Sequence, residues 1–139
     1  MALTSSQIRL VHYDTGTVIR SGSRVLSDVT VGGSTDYTLL EVQNVSGSDS
    51  LTGAKAWLTV DSDGAAVAIA VPDSTARALT YSWSVTPSGL TYSTPTAYSA
   101  GLALVTLTPS TKTLIVLRRV LSSATPADPE LNTLRVTTA

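Results

Sequence analysis

His12 is the one histidine in 139 residues, and the chain has no cysteine. These two residue types supply many of the nucleophile–base pairs and soft metal ligands of enzymes, so their scarcity narrows the available chemistry at once. A Ser-His-Asp triad would have to use His12 as its base. Ser and Asp are plentiful, but His12 falls inside an alternating strand pattern, and no Gly-x-Ser-x-Gly elbow occurs anywhere. His12 therefore reads as a structural or surface residue. Asp61-x-Asp63-Gly64 opens like a calcium loop, yet Ala65 to Val71 supplies no acid where the bidentate Glu belongs. A β-turn favoured by Asp and Gly accounts for it better. The ten acids are scattered, and none stands in a setting that suggests the flanking carboxylates of a glycosidase. No catalytic, cofactor-binding or metal-ligating residue is assigned, and we expect a non-enzymatic chain without cofactors.

Two features point to binding instead. Arg118-Arg119 sits in the most apolar strand pattern of the chain, Leu114 to Leu121. Neighbours on a strand face opposite sides, so one guanidinium must point inward or toward a neighbouring element. That arrangement fits an end-of-strand pair with its stems laid on apolar surface, or an interface anchor or buried ion pair. The second feature is the stretch from Ala78 to Thr111, which carries no charge but holds Tyr81, Trp83, Tyr92 and Tyr98. Tyr and Trp with few charges mark the centres of protein interfaces. Trp83 between Ser82 and Ser84 fits a strand with one buried face equally well. The interface candidates are Tyr81, Trp83, Tyr92, Tyr98, Arg118 and Arg119. Phe is absent, so every aromatic ring carries a polar handle.

The elements that would position these residues are short strands. Forty-one residues are Ser or Thr, set among Val, Leu and Ala, the composition of a solvated antiparallel β protein. Ile8 to Tyr13 alternates, with Ile8, Leu10 and His12 on one face and Arg9, Val11 and Tyr13 on the other. Asp14-Thr15-Gly16 is a turn. Strands follow at Thr17 to Ile19, Val25 to Val31 and Tyr37 to Gln43, the last with Leu40 and Val42 on one side and Tyr37, Leu39 and Glu41 on the other. Asn44 to Ser50 is a polar loop leading to Leu51 to Val60, and these two strands form the best hairpin candidate. Ala65 to Val71, Leu102 to Leu107, Leu114 to Leu121 and Leu131 to Val136 complete the set, with a Pro- and Ala-containing loop from Ser122 to Pro129. We expect an all-β, single-domain antiparallel β-sandwich over residues 1–139, Ig-like or jelly-roll-like. It should have roughly eight to ten short strands, and residues 1–6 would form an N-terminal arm or a frayed end.

Charged residues make up 14% and the net charge is −1, against about 25% charged residues in ordinary soluble domains. No basic footprint for nucleic acid is present. The start lacks a charged segment followed by an apolar run, and no apolar run is long enough to span a bilayer. Synthesis in a cytoplasm is expected, with no membrane partner. The low charge fits a surface covered by a partner, or a neutral surface kept soluble by hydroxyls.

Three pieces together resemble a family of small β-rich virion structural proteins of tailed bacteriophages. They are Met1 to Ile8; Gly33 to Tyr37 with Val42-Gln43-Asn44 and Leu51 to Leu58; and Thr113 to Arg119 with the Ser122 to Pro129 loop and Leu134-Arg135-Val136. The late strand carries Val116-Leu117 where the family pattern has an aromatic. The resemblance covers about half the chain and contains no catalytic signature. It implies a non-enzymatic particle component located in the virion. Such a protein would be a capsid decoration or cement protein bound to the major capsid protein, or one associated with other virion proteins of the neck, tail or fibres. It would be made in the host cytoplasm and would act as a homo-oligomer on the particle. A carbohydrate-binding sandwich is the reading from another class, with a surface glycan held on Trp57, Trp83, Tyr81 or Tyr92.

Overall fold

The computed structural model describes residues 8–13, 16, 18–19, 35–59, 66–120 and 133–138. Within them the chain forms β1 (Ile8–His12), β2 (Val18–Ile19), β3 (Thr35–Asn44), β4 (Lys55–Thr59), β5 (Ala66–Ala70), β6 (Arg77–Ala78), β7 (Leu102–Ala103), β8 (Thr111–Val120) and β9 (Thr133–Thr137). Short 3-10 turns occur at Pro87–Gly89 and Tyr98–Ala100. All pairings are antiparallel. One sheet runs β2-β1-β3-β8-β5, with β6 also on β8; the other runs β7-β4-β9. The chain is an all-β sandwich. The expected strand at 25–31, the Asp61-to-Gly64 turn with its calcium-like opening, the 122–129 loop and the N-terminal arm at 1–6 lie outside the described residues.

The core follows from period-two alternation. Leu40 and Val42 of β3, Val67 and Ile69 of β5, and Ile115 and Leu117 of β8 face Ala56 and Leu58 of β4. Leu51, Ala54, Leu104 and Leu107 close the cluster from the connections. The central ladder pairs β3 with β8 along all ten residues, Thr35 opposite Val120 through Asn44 opposite Thr111. The apolar run in β8 is buried on both faces, with Leu114, Ile115, Val116 and Leu117 at 0 to 1% exposure. A strand covered on both sides needs no polar face and reads as a continuous apolar stretch.

The expected hairpin between residues 37–43 and 51–60 is not formed. β3 pairs with β1 and β8, whereas β4 pairs with β7 and β9 in the other sheet. The 45–54 connection crosses the sandwich instead of turning back. Asn44 holds the crossing: its side-chain amide donates to the carbonyls of Asp49 and Leu107 at 2.8 and 2.9 Å, and its Oδ1 accepts from the Ser46 N–H. Leu51 then pairs with Leu107 through two backbone hydrogen bonds. The polar residues of this loop specify a crossover as well as they specify a turn.

β5 and β6 occupy the same edge of β8, separated by the excursion at Pro72 to Ala76. Asp73 organises that excursion by accepting from the Thr75 N–H and from Arg77 Nε, at 2.9 and 2.8 Å. Arg118 and Arg119 do not interrupt β8. Both stand within the ladder, opposite Tyr37 and Asp36 on β3 and opposite Ala68 and Val67 on β5.

Candidate functional site

The β1-β3-β8-β5 sheet has a second face, away from the core. Alternation places Val11 and Tyr13, then Tyr37, Leu39, Glu41 and Gln43, then Lys112, Leu114, Val116 and Arg118 on it. Chain from Tyr81 to Tyr92 lies over this face like a strap. The Trp83 N–H donates to Tyr13 Oη at 3.0 Å, and Trp83 Nε1 donates to Glu41 Oε2 at 2.5 Å. Further along, the Tyr92 ring lies 6.1 Å from Tyr37, and the Arg118 guanidinium sits 4.6 Å from the Tyr92 centroid. The Tyr92 hydroxyl donates to the Pro87 carbonyl at 2.8 Å, fixing the strap against itself. Burial raises the Tyr92 phenol above its ordinary value, with Tyr37 adding to the rise and Arg118 opposing it.

Beneath the strap lies a buried ion pair. Lys112 Nζ is 2.5 Å from Glu41 Oε2, and the two side chains are only 4% and 5% exposed. Gln43 Nε2 donates to the other carboxylate oxygen at 2.9 Å. Glu41 thus accepts from Lys112, Trp83 and Gln43. The Lys112 ammonium also stands 6.0 Å from the Tyr13 ring and 5.8 Å from the Trp83 ring. A buried ion pair pays heavily in desolvation unless its remaining hydrogen-bonding capacity is filled; here three donors converge on one carboxylate.

The six interface candidates divide accordingly. Tyr81 is exposed, stands edge-on to Trp83 at 74°, and carries Arg77 4.7 Å above its ring. Trp83, Tyr92 and Arg118 are half-buried members of the strap and its seat. Tyr98 is half-buried in another place, its hydroxyl donating to Gly53 O at 2.6 Å and its ring facing Lys55 Nζ at 4.8 Å. Arg119 is turned toward the interior at 1% exposure. It therefore anchors inside the fold and offers no surface for a partner, as expected for the inward member of an Arg pair on one strand. Glu41, Lys112 and Gln43 were missed by sequence reasoning. The signal was present: an acid and an amide two apart on β3, and a lysine beginning β8, would meet only if β3 pairs with β8.

The chain matches no family model, no curated protein and no solved structure.

Two of the rings expected to form a sugar platform are not coplanar. Tyr81 and Trp83 are nearly perpendicular, and Trp57 donates through Nε1 to Thr137 Oγ1 with Arg135 5.9 Å from its ring. A separate open cleft of about 450 Å³ is lined by Val71, Leu102, Leu104 and Val105, with Asp73 and Thr91 at its rim. The Asp73 carboxylate there is already held by Arg77 and Thr75, and its hydrogen bond to Arg77 keeps it below the ordinary carboxylate range. Among the described residues no helix is long and apolar enough to cross a membrane, and no three His, Asp or Glu gather as metal ligands.

Proposed function

We propose that the chain is a structural protein of a tailed-phage virion, a decoration or cement protein that binds the capsid surface across joints between subunits. The observation that carries this reading is the engagement of cations by the chain's own aromatic rings, beside an exposed stretch of hydroxyls and small residues. Lys55, Arg77, Lys112, Arg118 and Arg135 each face one of the chain's own aromatic rings. Glu41 and Asp73 are each paired with one of those cations. Between residues 74 and 110 the exposed positions are Ser, Thr, Ala and Gly apart from Tyr81. That surface suits broad, neutral docking onto a repeating protein lattice, where many modest contacts add up.

The segments that resemble virion proteins support the reading from a second side. Those around β3 and β8 form the central ladder, and those around β4 and β9 pair in the other sheet. The resemblance thus falls on the strands that build the scaffold. Quantitative mass spectrometry of purified particles tests the proposal. A fixed ratio of this chain to the major capsid subunit is the expected result. A few copies per particle would place it in the neck, tail or fibres, and absence from the particle would overturn the virion reading.

A further inference from the structure

Lys112 and Gln43 are direct partners in the β3–β8 register, so their Cβ atoms stand about 4.5–5.5 Å apart on one face. The Glu41 carboxylate touches both side chains, Oε2 at 2.5 Å from the Lys112 amine and Oε1 at 2.9 Å from the Gln43 amide nitrogen. One carboxylate therefore joins a nucleophile to the leaving nitrogen of an amide. Trp83 and Tyr13 flank the lysine, and the Glu–Lys pair is nearly closed to solvent. We propose that this cluster is a self-modification site, at which Lys112 and Gln43 form an intramolecular isopeptide bond with Glu41 carrying the proton.

The step balances without a co-reactant. Glu41 Oε2 takes a proton from the Lys112 ammonium, and the neutral amine attacks Gln43 Cδ. The bond from Cδ to Nε2 breaks as Glu41 delivers that proton to Nε2, which departs as ammonia. The second proton lost by Nζ leaves with the ammonia as ammonium. An Nζ–Cδ amide has formed, and Glu41 ends ionised as it began. Burial assists twice. Passing a proton from Nζ to Oε2 removes two charges from a site where charge is costly. Holding amine and amide on facing strands replaces a bimolecular encounter, and effective molarities of about 10⁵–10⁸ M are reached in well-oriented cases. The product would tie the two central strands of the larger sheet covalently.

The test is the intact mass of the full chain, followed by peptide mapping. The folded wild-type chain is expected to be lighter than its sequence by one ammonia, with a branched peptide joining Gln43 to Lys112. Gln43→Met, which keeps the ion pair and changes only a half-buried side chain, should restore the full mass while circular dichroism shows an unchanged fold. Glu41→Gln and Lys112→Arg should likewise keep the full mass of their sequences. A wild-type chain that keeps its full mass after prolonged incubation in the folded state would overturn the proposal. So would ammonia lost without a branched peptide, as a succinimide would give. Loss of one water with a Lys112–Glu41 link would overturn Gln43 as the acceptor. The assay uses the isolated chain, so its outcome is independent of whether the protein belongs to a virion.

Discussion

The Trp83 N–H and the Tyr13 hydroxyl are hydrogen-bonded at 3.0 Å although seventy positions separate them. Through this contact the residue that follows β1 holds the strap over the sheet, and the same tryptophan reaches on to Glu41 with its indole. The strap is thus fastened at one residue by backbone and side chain together.

Replacing Trp83 by Phe should remove one donor to Glu41 while keeping most of the ring contact. A hydrogen bond to a charged group contributes about 1.5–3 kcal/mol, and we expect a loss near the lower end because Trp83 is half-buried. Urea unfolding followed at the remaining Trp57 checks this; an unchanged midpoint would mean that the indole bond contributes nothing.

The Glu41–Lys112 pair should show strong coupling. In a Gln43→Met background, Glu41→Gln or Lys112→Met alone is expected to cost about 3–5 kcal/mol, because each leaves a buried polar partner uncompensated. The double variant should cost clearly less than the sum of the two, and a double-mutant cycle in urea measures the difference. Additive losses would show that the two groups do not depend on each other.

Gly101→Ala should destabilise by about 1–3 kcal/mol, the range for overpacking a tight site. A Cβ at this position would stand 2.9 Å from Lys55 Cβ and 3.1 Å from the Ala56 carbonyl. The neighbours belong to β4 and its pairing with β7, so little can shift. Ser110, in contrast, adopts a positive φ of 60° just before β8. Ser110→Gly should relieve a conformational cost of about 1–2 kcal/mol and add about 0.5–1 kcal/mol of chain entropy to be lost, giving a small net gain in thermal midpoint.

Two groups set a pH dependence of opposite sign. Asp73 is held below the ordinary carboxylate range by its hydrogen bond to Arg77. The stability it contributes is present above the unfolded-state value, about pH 4, and is lost as pH falls through the lower folded value. Tyr92 is raised by burial, so its contribution is complete below about pH 10 and is lost as pH rises through the higher folded value. Asp73→Asn should flatten the acid side of the stability profile, and Tyr92→Phe the alkaline side. Thermal melts across pH measure both, and an unaltered profile in either variant would contradict its assignment.

Much of the fold was legible locally. Alternation from Tyr37 to Gln43 separated Leu40 and Val42 from Tyr37, Leu39 and Glu41, and the absence of Phe left every ring with a polar end, which Tyr13, Trp57, Trp83, Tyr92 and Tyr98 use. Pairing was not legible. A polar loop after Asn44 is compatible with a hairpin and with a crossover, and the deciding contact, the Asn44 amide on the Leu107 carbonyl, is remote in sequence. The Glu41 cluster stayed hidden for the same reason, since its members meet only once β3 and β8 are aligned. The uncharged stretch offered a core reading and a surface reading; as a strap it serves as the inner lining of one face while leaving Tyr81 outside.

The β3–β8 ladder also sets the order in which the molecule can be made. As the chain emerges from the ribosome, β3 can meet β1 at once, but its other hydrogen-bonding edge stays open until β8 has been synthesised, far downstream. Until then the newborn chain presents an unpaired edge and an uncovered apolar sheet, the conditions under which neighbouring chains associate wrongly. Topologies dominated by such distant pairings fold over about milliseconds to seconds. A chain ending before Thr111 would have no central strand to complete the larger sheet, so completing this sheet depends on the last fifth of the sequence.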